Sequence, residues 1–389
     1  MNKWKFLYDS PTLKSSLLAT NIIKGGGKII SLGLGEMWYE TPTEINQAAI
    51  KGLMSGMTRY SHFMGLESLR RAIVENFNNS SQFTLSEDNV VITNGAKGAL
   101  FLVLLAILEA GDQVVIISPS YVSYEPQIRL VSDRCKVIKI RLKAKDYSID
   151  WQALEKTLKL NPKVVILNFP HNPTGKMLSK NEVNRLIHCL NNFHGFIISD
   201  EVYEDLIYES ENRNNLLSYQ IELKDKIIKI SSFSKAYCMT GWRVGYLLTS
   251  NNKIVENIGK IQQHVQTNVC TFIQKGAEAV FGLDKNWLIN YIDELMEKKC
   301  FLVQKIGKTK KLTLIPPEAG LFSMINIEKT GIHSDQFVTD LLKKTGVMVN
   351  PGVIFGKEWD GFIRVSMGAR PNDFTEGVYR LVEYVSGLK

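Results

Sequence analysis

The chain has 389 residues, of which 44% are hydrophobic and 22% are charged, so it is long enough for two domains and has the composition of a folded rather than a disordered protein. Its formal charge of +8 favours anionic ligands, but no DNA-binding motif accompanies the basic residues, and we expect no nucleic-acid partner. The five cysteines form no Cys-x-x-Cys pair and no Cys/His ligand spacing, which predicts neither disulfides nor a metal site and favours a cytoplasmic location. The longest apolar run, residues 99–108, is shorter than the roughly 20 residues that cross a bilayer, so we expect no membrane partner.

The N-terminal part of the chain predicts a short extended segment followed by a helix. Residues 29–35 are consistent with a strand. Thr41 is placed to cap the next helix, with Pro42 at the first helical position and Glu44 completing a capping box. We expect this helix to end near residue 53 or 54.

Residues 88–248 alternate short, β-branched apolar runs with helical stretches. The seven runs are Val90–Thr93, Val114–Ile117, Val137–Ile140, Val164–Leu167, Phe196–Ile198, Ile227–Ile230 and Val244–Leu247. Strands that are apolar on both faces and separated by helices favour a largely parallel sheet with helices on both sides. Ser179 and Glu182 predict a capping box on one of those helices. The pattern therefore predicts an α/β fold.

The pattern changes beyond about residue 286. A long helical stretch at 286–305 leads to strand-like runs at 312–315 and 321–324, and a helix at 374–385 closes the chain. We therefore expect a large domain at residues 46–285 and a smaller domain built from both ends of the chain, residues 1–45 and 286–389.

Ligands of parallel α/β sheets bind at the carboxyl edge, so the residues that follow each strand are candidates for a site. Gly95, Ala96 and Lys97 open the helix after the first strand, where free N–H groups attract phosphate, although a plain glycine-containing turn is the alternative. Tyr121 follows the second strand and is placed either to stack on a flat ring or simply to pack.

Two later strands end in polar motifs. Asn172 lies in the turn-rich run 168–175, between prolines that restrict its backbone. Asp200 and Tyr203 follow the strand at 196–198. A carboxylate there can pair with a protonated pyridine nitrogen, and a tyrosine can bind a phenolic oxygen. Asp200 can also serve as a helix N-cap.

The strand at 227–230 leads into the most distinctive motif of the chain, residues 231–245. Lys235 lies among serines and is followed eight residues later by Arg243, an arrangement suited to an aldehyde cofactor that carries a phosphate. An exposed basic turn is the alternative. Arg364 lies inside a strand-like run and is either part of a buried ion pair or a clamp for a substrate carboxylate; beside a Schiff-base lysine, the clamp is favoured.

Taken together, these motifs resemble the fold-type-I pyridoxal-phosphate enzymes, specifically the class I/II aminotransferases of the aspartate and aromatic type. The likeness extends from about residue 30 to residue 370, and its most specific parts are residues 172–175, 199–203 and 234–245. The resemblance implies a three-layer αβα large domain with a mostly parallel seven-stranded sheet, a smaller α+β domain, and pyridoxal 5′-phosphate as the cofactor.

The resemblance also implies roles for three catalytic residues. Lys235 carries the cofactor aldimine and shuttles the substrate proton. Asp200 pairs with the pyridinium nitrogen, and Tyr203 binds the phenolic oxygen together with Asn172. The further cofactor contacts that it implies are Tyr121 on the ring and Gly95, Ala96, Lys97, Ser232, Ser234 and Arg243 on the phosphate.

Substrate binding and assembly are implied in the same way. Gly35, Asn172 and Arg364 fall where the family binds the substrate α-carboxylate. Tyr60 is similar to the tyrosine that reaches the phosphate of the neighbouring subunit, which implies a homodimer with shared sites.

The chain departs from the family pattern beside the expected substrate entrance. The family's Gly-Glu-Pro is replaced by a motif that ends in Met37 and is followed by Trp38 and Tyr39. Two aromatic side chains at the entrance favour large substrates, whereas Lys97 occupies a place where some relatives face a second substrate carboxylate and so favours acidic ones.

We therefore expect a ping-pong aminotransferase that moves the amino group of an L-amino acid to a 2-oxo acid. One alternative is another pyridoxal-phosphate reaction on the same scaffold, such as β- or γ-elimination or the cyclisation and oxidation chemistry of capreomycidine-synthase-like enzymes. A second alternative is the ligand-sensing domain of a transcription regulator, which the short segment before Ile29 makes less favoured.

Overall fold

The computed structural model describes residue 20 and residues 24–209, 223–284 and 286–388, so most of the predicted N-terminal lead-in lies outside the described residues. The helices are α1 (Thr43–Met54), α2 (Glu67–Asn78), α3 (Gly95–Ile107), α4 (Tyr124–Val131), α5 (Trp151–Leu158), α6 (Lys180–Leu190), α7 (Asn252–Val265), α8 (Thr271–Glu278), α9 (Asn286–Gly307), α10 (Ser334–Thr345) and α11 (Pro371–Ser386). The strands are β1 (Ile30–Ser31), β2 (Val90–Thr93), β3 (Gln113–Ser118), β4 (Lys136–Arg141), β5 (Val164–Asn168), β6 (Phe196–Asp200), β7 (Ile227–Ser232), β8 (Gly245–Leu248), β9 (Thr313–Leu314), β10 (Phe322–Asn326), β11 (Val347–Met348), β12 (Asn350–Pro351) and β13 (Phe362–Ser366).

The central sheet has seven strands in the order β2-β8-β7-β6-β5-β3-β4. Strand β8 pairs antiparallel with both of its neighbours, and the other strands share one direction. Each of the seven predicted runs forms one of these strands. The mostly parallel α/β sheet predicted from the alternation of runs is confirmed.

Alternate residues of the inner strands face two different cores, which makes the three layers. In β5, Val164 and Ile166 pack with side chains of α3 and α7, whereas Val165 and Leu167 pack with those of α5 and α6. Strand β4 is the exception because it is an edge, and its exposed charged side chains discourage pairing with another chain. The inner strands are therefore buried on both faces.

A second, antiparallel sheet follows, in the order β12-β13-β10-β9. Side chains of α9, α10 and α11 share its core. The N-terminal segment joins this part of the chain, because β1 pairs parallel with β11 and Leu32 N donates to Met348 O at 2.8 Å. The smaller α+β unit is confirmed as a fold feature, while the domain boundaries at 45/46 and 285/286 stay a prediction.

Two predicted helix caps had different outcomes. At α6, Ser179 Oγ accepts from Glu182 N at 3.3 Å and Glu182 Oε2 accepts from Ser179 N at 2.9 Å, so that capping box is confirmed. At α1 the prediction is wrong, since Pro42 takes the N-cap position and Thr41 Oγ1 donates instead to Cys238 O at 2.8 Å. The hydroxyl of Thr41 therefore binds the loop that follows Lys235 rather than the start of α1.

A search of the described helices finds none with the length and apolar character needed to cross a membrane.

Candidate active site

Two adjoining cavities, of about 440 and 280 Å³, lie at the carboxyl edge of the central sheet. Their walls come from the segments that follow β2, β3, β5, β6 and β7, as expected for this class of sheet. Residues that line both cavities are Glu36, Lys97, Tyr121, Asn172, Tyr203 and Lys235. The larger cavity adds Ala96, Asn168, Asp200, Ser232, Ser234 and Arg243, and the smaller adds Gly35, Phe322, Phe355 and Arg364.

Lys235 lies three residues beyond the end of β7 and lines both cavities. Burial lowers the pKa of Lys235 to about 8, although Glu36 acts in the opposite direction. Its Nζ donates to Gly35 O at 2.6 Å, and a Cβ at position 35 would come within 2.9 Å of Phe322. A lowered pKa leaves part of the amine neutral near pH 7, which a nucleophile or proton carrier requires.

Asp200 is the last residue of β6, and its carboxylate lines the larger cavity. Burial raises the pKa of Asp200 to about 6, even though Tyr124 OH donates to its Oδ2 at 2.6 Å. Val202 N also approaches Oδ1 at 3.4 Å, a local contact of the kind that an N-capping aspartate makes. A buried carboxylate of this kind is stabilised by a cationic partner in the cavity.

Asn168 and Asn172 connect the strand ends to Arg364. Asn168 Nδ2 donates to Asp200 O at 2.9 Å, while its Oδ1 accepts from Asn172 N at 2.9 Å. Asn172 Oδ1 in turn accepts from Arg364 Nη1 at 3.0 Å, and Arg364 Nη2 donates to Gly33 O at 2.9 Å. Asn172 is therefore held both by its backbone N–H, which binds Asn168, and by its side-chain oxygen, which binds Arg364.

Arg364 is a buried guanidinium that makes no ion pair with any residue that the structure describes. It stacks 3.8 Å from the ring centre of Phe322 and 4.9 Å from that of Phe355, and its Nε has no hydrogen-bond partner within the described ranges. Burial lowers the pKa of Arg364 to about 10, so the group is still cationic at neutral pH. Such a group attracts an anion, and its planar fork suits a carboxylate.

The phosphate-binding candidates converge at the start of α3. Ser234 N donates to Ser232 Oγ at 3.0 Å, and Ser232 Oγ donates to Ser234 Oγ at 2.7 Å. Arg243 adopts the left-handed conformation, with φ of 56°, and Nη1 donates to Thr240 O at 2.7 Å. A Cβ on Gly95 would come within 2.6 Å of Arg243 Nη2, so a larger residue there would displace the guanidinium. Hydroxyls, a guanidinium and the free N–H groups of a helix start are the donors that a phosphate takes.

Tyr121 and Tyr203 supply the aromatic walls. Tyr121 meets Tyr124 edge to face at 5.5 Å, and Lys97 Nζ lies 5.8 Å from the Tyr121 ring centre. Tyr203 is buried and meets Phe322 edge to face at 5.9 Å, and burial raises the pKa of its hydroxyl. Lys97 thus lies in the lining of both cavities.

Three candidate residues lie away from the cavities. Tyr60 is 87% exposed and lines a separate surface pocket with Arg59 and Cys270. Trp38 and Tyr39 point to α9, where Trp38 Nε1 donates to Glu294 Oε1 at 2.9 Å and Tyr39 OH donates to Oε2 at 2.6 Å. Neither residue lines the two cavities, and their place at the substrate entrance stays a prediction.

Sequence reasoning also missed residues of the site. Tyr124 is the first residue of α4, and its contact with Asp200 was not predicted from the sequence. Asn168 was seen only as part of a turn-rich run. Glu36 was noted only as part of a motif, yet its side chain lines both cavities.

The fold and this site define an aminotransferase of the type built on a seven-stranded, mostly parallel sheet. The chain belongs to the family described as Aminotransferase class I and II, whose model matches residues 27–381. It is 31% identical to an aspartate aminotransferase of Thermotoga maritima, over 97% of each chain, and 30% identical to a probable aspartate/prephenate aminotransferase of Aquifex aeolicus, over 96% of this chain and 95% of that one. The crystal structure of an aspartate aminotransferase from T. maritima superposes with a TM-score of 0.92, at 30% identity and with all of both chains covered.

These comparisons confirm the predicted family, fold class and aminotransferase activity. The alternative of elimination, cyclisation or oxidation on the same scaffold is not favoured.

Proposed function

We propose that the two cavities bind pyridoxal 5′-phosphate and an amino-acid substrate, and that Lys235, Asp200 and Arg364 carry the transfer of the amino group to a 2-oxo acid. The observation that carries this proposal is the meeting of a buried, low-pKa amine, a buried carboxylate and a buried guanidinium around adjoining cavities. These groups suit the cofactor, because the site offers an amine for its aldehyde, an anion for its ring nitrogen and donors for its phosphate.

When bound, pyridoxal 5′-phosphate supplies an aldehyde and an electron-withdrawing ring. Lys235 Nζ would hold the aldehyde. With a substrate bound, the freed amine would take the proton from the α-carbon of the donor and, in the second half of the reaction, give a proton to the α-carbon formed from the acceptor. Asp200 holds a positive charge at the ring nitrogen, and Asn172 and Tyr203 bind the phenolic oxygen. Donor and acceptor use the same cavity in turn, which gives ping-pong kinetics.

The phosphate is assigned to the donors at the start of α3. Gly95, Ala96 and Lys97 supply backbone N–H groups, and Ser232 and Ser234 supply hydroxyls. Arg243 supplies the guanidinium. Tyr121 stacks on the ring.

The substrate class follows from the cations of the smaller cavity. Arg364, with Gly35 nearby, takes the α-carboxylate, and Lys97 takes a second carboxylate on the side chain. We therefore propose dicarboxylic donors and acceptors, which agrees with the names of the relatives. Trp38 and Tyr39 bind Glu294 and line neither cavity, so they add no argument for large aromatic substrates.

The assembly belongs to the same proposal. Tyr60, Met54 and Ile50 are 87%, 81% and 60% exposed, an unusual exposure for large apolar side chains. We propose that these side chains are covered in a homodimer in which Tyr60 reaches the partner's phosphate site. We also propose that the enzyme is cytoplasmic. We expect light scattering to give twice the mass of one chain; a monomer with full activity would contradict this part.

The experiment that tests the function follows a ¹⁵N-labelled amino group from a panel of donors to 2-oxoglutarate by mass spectrometry. We expect transfer with the wild type, fastest from acidic donors, and none with the Lys235→Ala variant. Release of ammonia without labelled product would instead identify an elimination.

A further inference from the structure

A second group of buried charges lies behind the cavities, on the opposite side of the strand ends. Side chains alternate between the faces of a strand, and while Asp200 lines the cavity, its neighbours Ser199 and Glu201 face the other way. On β7, Lys229 is in register with Ser199, and Ser231 lies on the same face as Lys229. We call Ser199, Glu201, Glu204, Lys229 and Ser231 the Lys229 cluster.

The contacts within the cluster are all polar. Lys229 is 4% exposed, and its Nζ forms an ion pair with Glu204 and lies 3.3 Å from Glu201 Oε2. Ser199 Oγ donates to Glu201 Oε1 at 2.6 Å, and Ser231 Oγ donates to Glu204 Oε1 at 2.8 Å. The ammonium of Lys229 therefore bridges the two carboxylates, and each carboxylate also accepts a hydrogen bond from a serine hydroxyl.

Electrostatics keeps the ammonium charged. Burial alone would lower the pKa of Lys229, but Glu204 and Glu201 outweigh burial and the pKa is raised. Burial raises the pKa of Glu201, against the opposing effect of Lys229. Glu201 is 3% exposed and forms its ion pair with Lys229, so removal of Lys229 takes this cation away from a buried carboxylate.

The same two carboxylates belong to the turn that shapes the cavity. Glu201 N donates to Ile230 O and Glu204 N donates to Glu201 O, both at 2.9 Å, so the turn follows β6 directly. Asp200, Val202 and Tyr203 of this turn line the larger cavity. A shift of Glu201 or Glu204 must therefore also move the residues between them.

We propose that Lys229 is a positioning residue of this site, whose ammonium holds Glu201 and Glu204 and so fixes the turn that presents Asp200 and Tyr203 to the cofactor. The inference rests on the proposed function, since it concerns the same cofactor site. Tyr237, two residues beyond Lys235, adds a further link because its OH donates to Asp205 Oδ2 at 3.3 Å.

The test uses three variants of the full chain. Lys229→Met removes the cation beside the buried Glu201 and the partly exposed Glu204. The triple variant K229M/E201Q/E204Q removes all three charges. We expect it to keep the fold even if the single variant does not, because no carboxylate of the cluster is left without the Lys229 cation. Lys226→Met is the matched control, because Lys226 lies just before the same strand and its Nζ donates at 2.6 Å to Phe193 O, away from the cavity.

The first readout is the dissociation constant of pyridoxal 5′-phosphate, measured by fluorescence titration of protein freed of cofactor. The second is the pH at which the visible absorbance of the bound cofactor changes, and the third separates kcat from KM for the amino donor. In the triple variant we expect cofactor binding to weaken about tenfold or more, the absorbance transition to shift and kcat to fall with little change in KM, because small displacements of reacting groups are costly.

A triple variant with wild-type thermal stability and wild-type values of all three readouts would overturn the proposal, since Lys229 would then serve the fold alone. An equal loss of binding in Lys226→Met would overturn it too. If the wild type itself binds no pyridoxal 5′-phosphate, the proposed function fails, and that result is separate from any difference among the variants.

Discussion

At the scale of single residues, the site depends on groups whose burial makes them respond to a charged ligand. Burial raises the pKa of Asp200 to about 6 and lowers that of Lys235 to about 8, so each is biased towards its neutral form. A cation beside Asp200 and an anion beside Arg364 reverse this cost. A bound ligand with complementary charges therefore stabilises the ionised forms of Asp200 and Arg364, which burial disfavours.

We therefore predict that Asp200→Asn raises the unfolding free energy of the protein without cofactor and weakens the binding of the cofactor. A raised carboxyl pKa means that Asp200 contributes stability fully present below pH 3.8, which is lost as the pH rises through about 6. Without cofactor at pH 7, we expect the variant to be more stable than the wild type by on the order of 3 kcal/mol, and by about half of that at pH 5. Urea unfolding at both pH values measures this difference.

The same variant should bind pyridoxal 5′-phosphate more weakly, because the neutral amide cannot pair with a protonated ring nitrogen. An unchanged difference in unfolding free energy between pH 5 and pH 7 would contradict the assigned burial of the charge. The retained donor, Tyr124 OH, can bind the amide oxygen, so the change isolates the charge.

Several site residues could be predicted because their motifs are local. Asn172 and Arg364 were recognised from short motifs that follow or lie within strands, and the structure brings them into direct contact at 3.0 Å. Tyr124 could not be assigned, because its bond to Asp200 depends on how α4 packs beside β6, 76 residues further along the chain. Lys229 was read as part of an apolar strand, since a sequence does not show which carboxylates will surround a lysine.

At the scale of elements, the strands were predicted closely because burial on both faces leaves a continuous apolar run. Helix starts were predicted less well where tertiary contacts compete for the capping group. Ser179 caps α6 as expected, whereas Thr41 gives its hydroxyl to Cys238 O. The contacts of Trp38 and Tyr39 are likewise not readable from local sequence, because their partner Glu294 lies more than 250 residues further along the chain.

The segment 35–39 is held against α9 by Glu294, and this predicts an effect on substrate binding. Glu294 accepts from Trp38 and Tyr39, and also from Lys298, whose buried Nζ lies 2.5 Å from Oε1. Glu294→Ala removes the common acceptor. We expect a loss of about 3 kcal/mol in unfolding free energy, and a higher KM because the same segment carries Gly35 and Glu36 into the cavities.

Glu297→Gln is the matched control, because Glu297 is an exposed residue of the same helix. Thermal unfolding and steady-state kinetics compare the two variants. A KM that is unchanged in Glu294→Ala would show that the segment keeps its place without this acceptor.

At the scale of the whole molecule, the chain brings its two ends and its middle to one place. Gly33 and Gly35 come from the N-terminal segment, Asn172 and Lys235 from the central sheet and Arg364 from the second sheet. Arg364 Nη2 donates to Gly33 O across 331 positions of sequence. Substrate binding at Arg364 therefore depends on contacts between both sheets and the N-terminal segment.

The central claim is that Lys235 holds pyridoxal 5′-phosphate within an aminotransferase site. The most direct measurement is reduction of the cofactor-loaded protein with borohydride, followed by digestion and peptide mass spectrometry. We predict a pyridoxyl-phosphate mass on the peptide that contains Lys235, and its loss in Lys235→Ala protein that still takes up cofactor reversibly. Modification at a different lysine, with Lys235 unlabelled in active wild-type enzyme, would contradict the account.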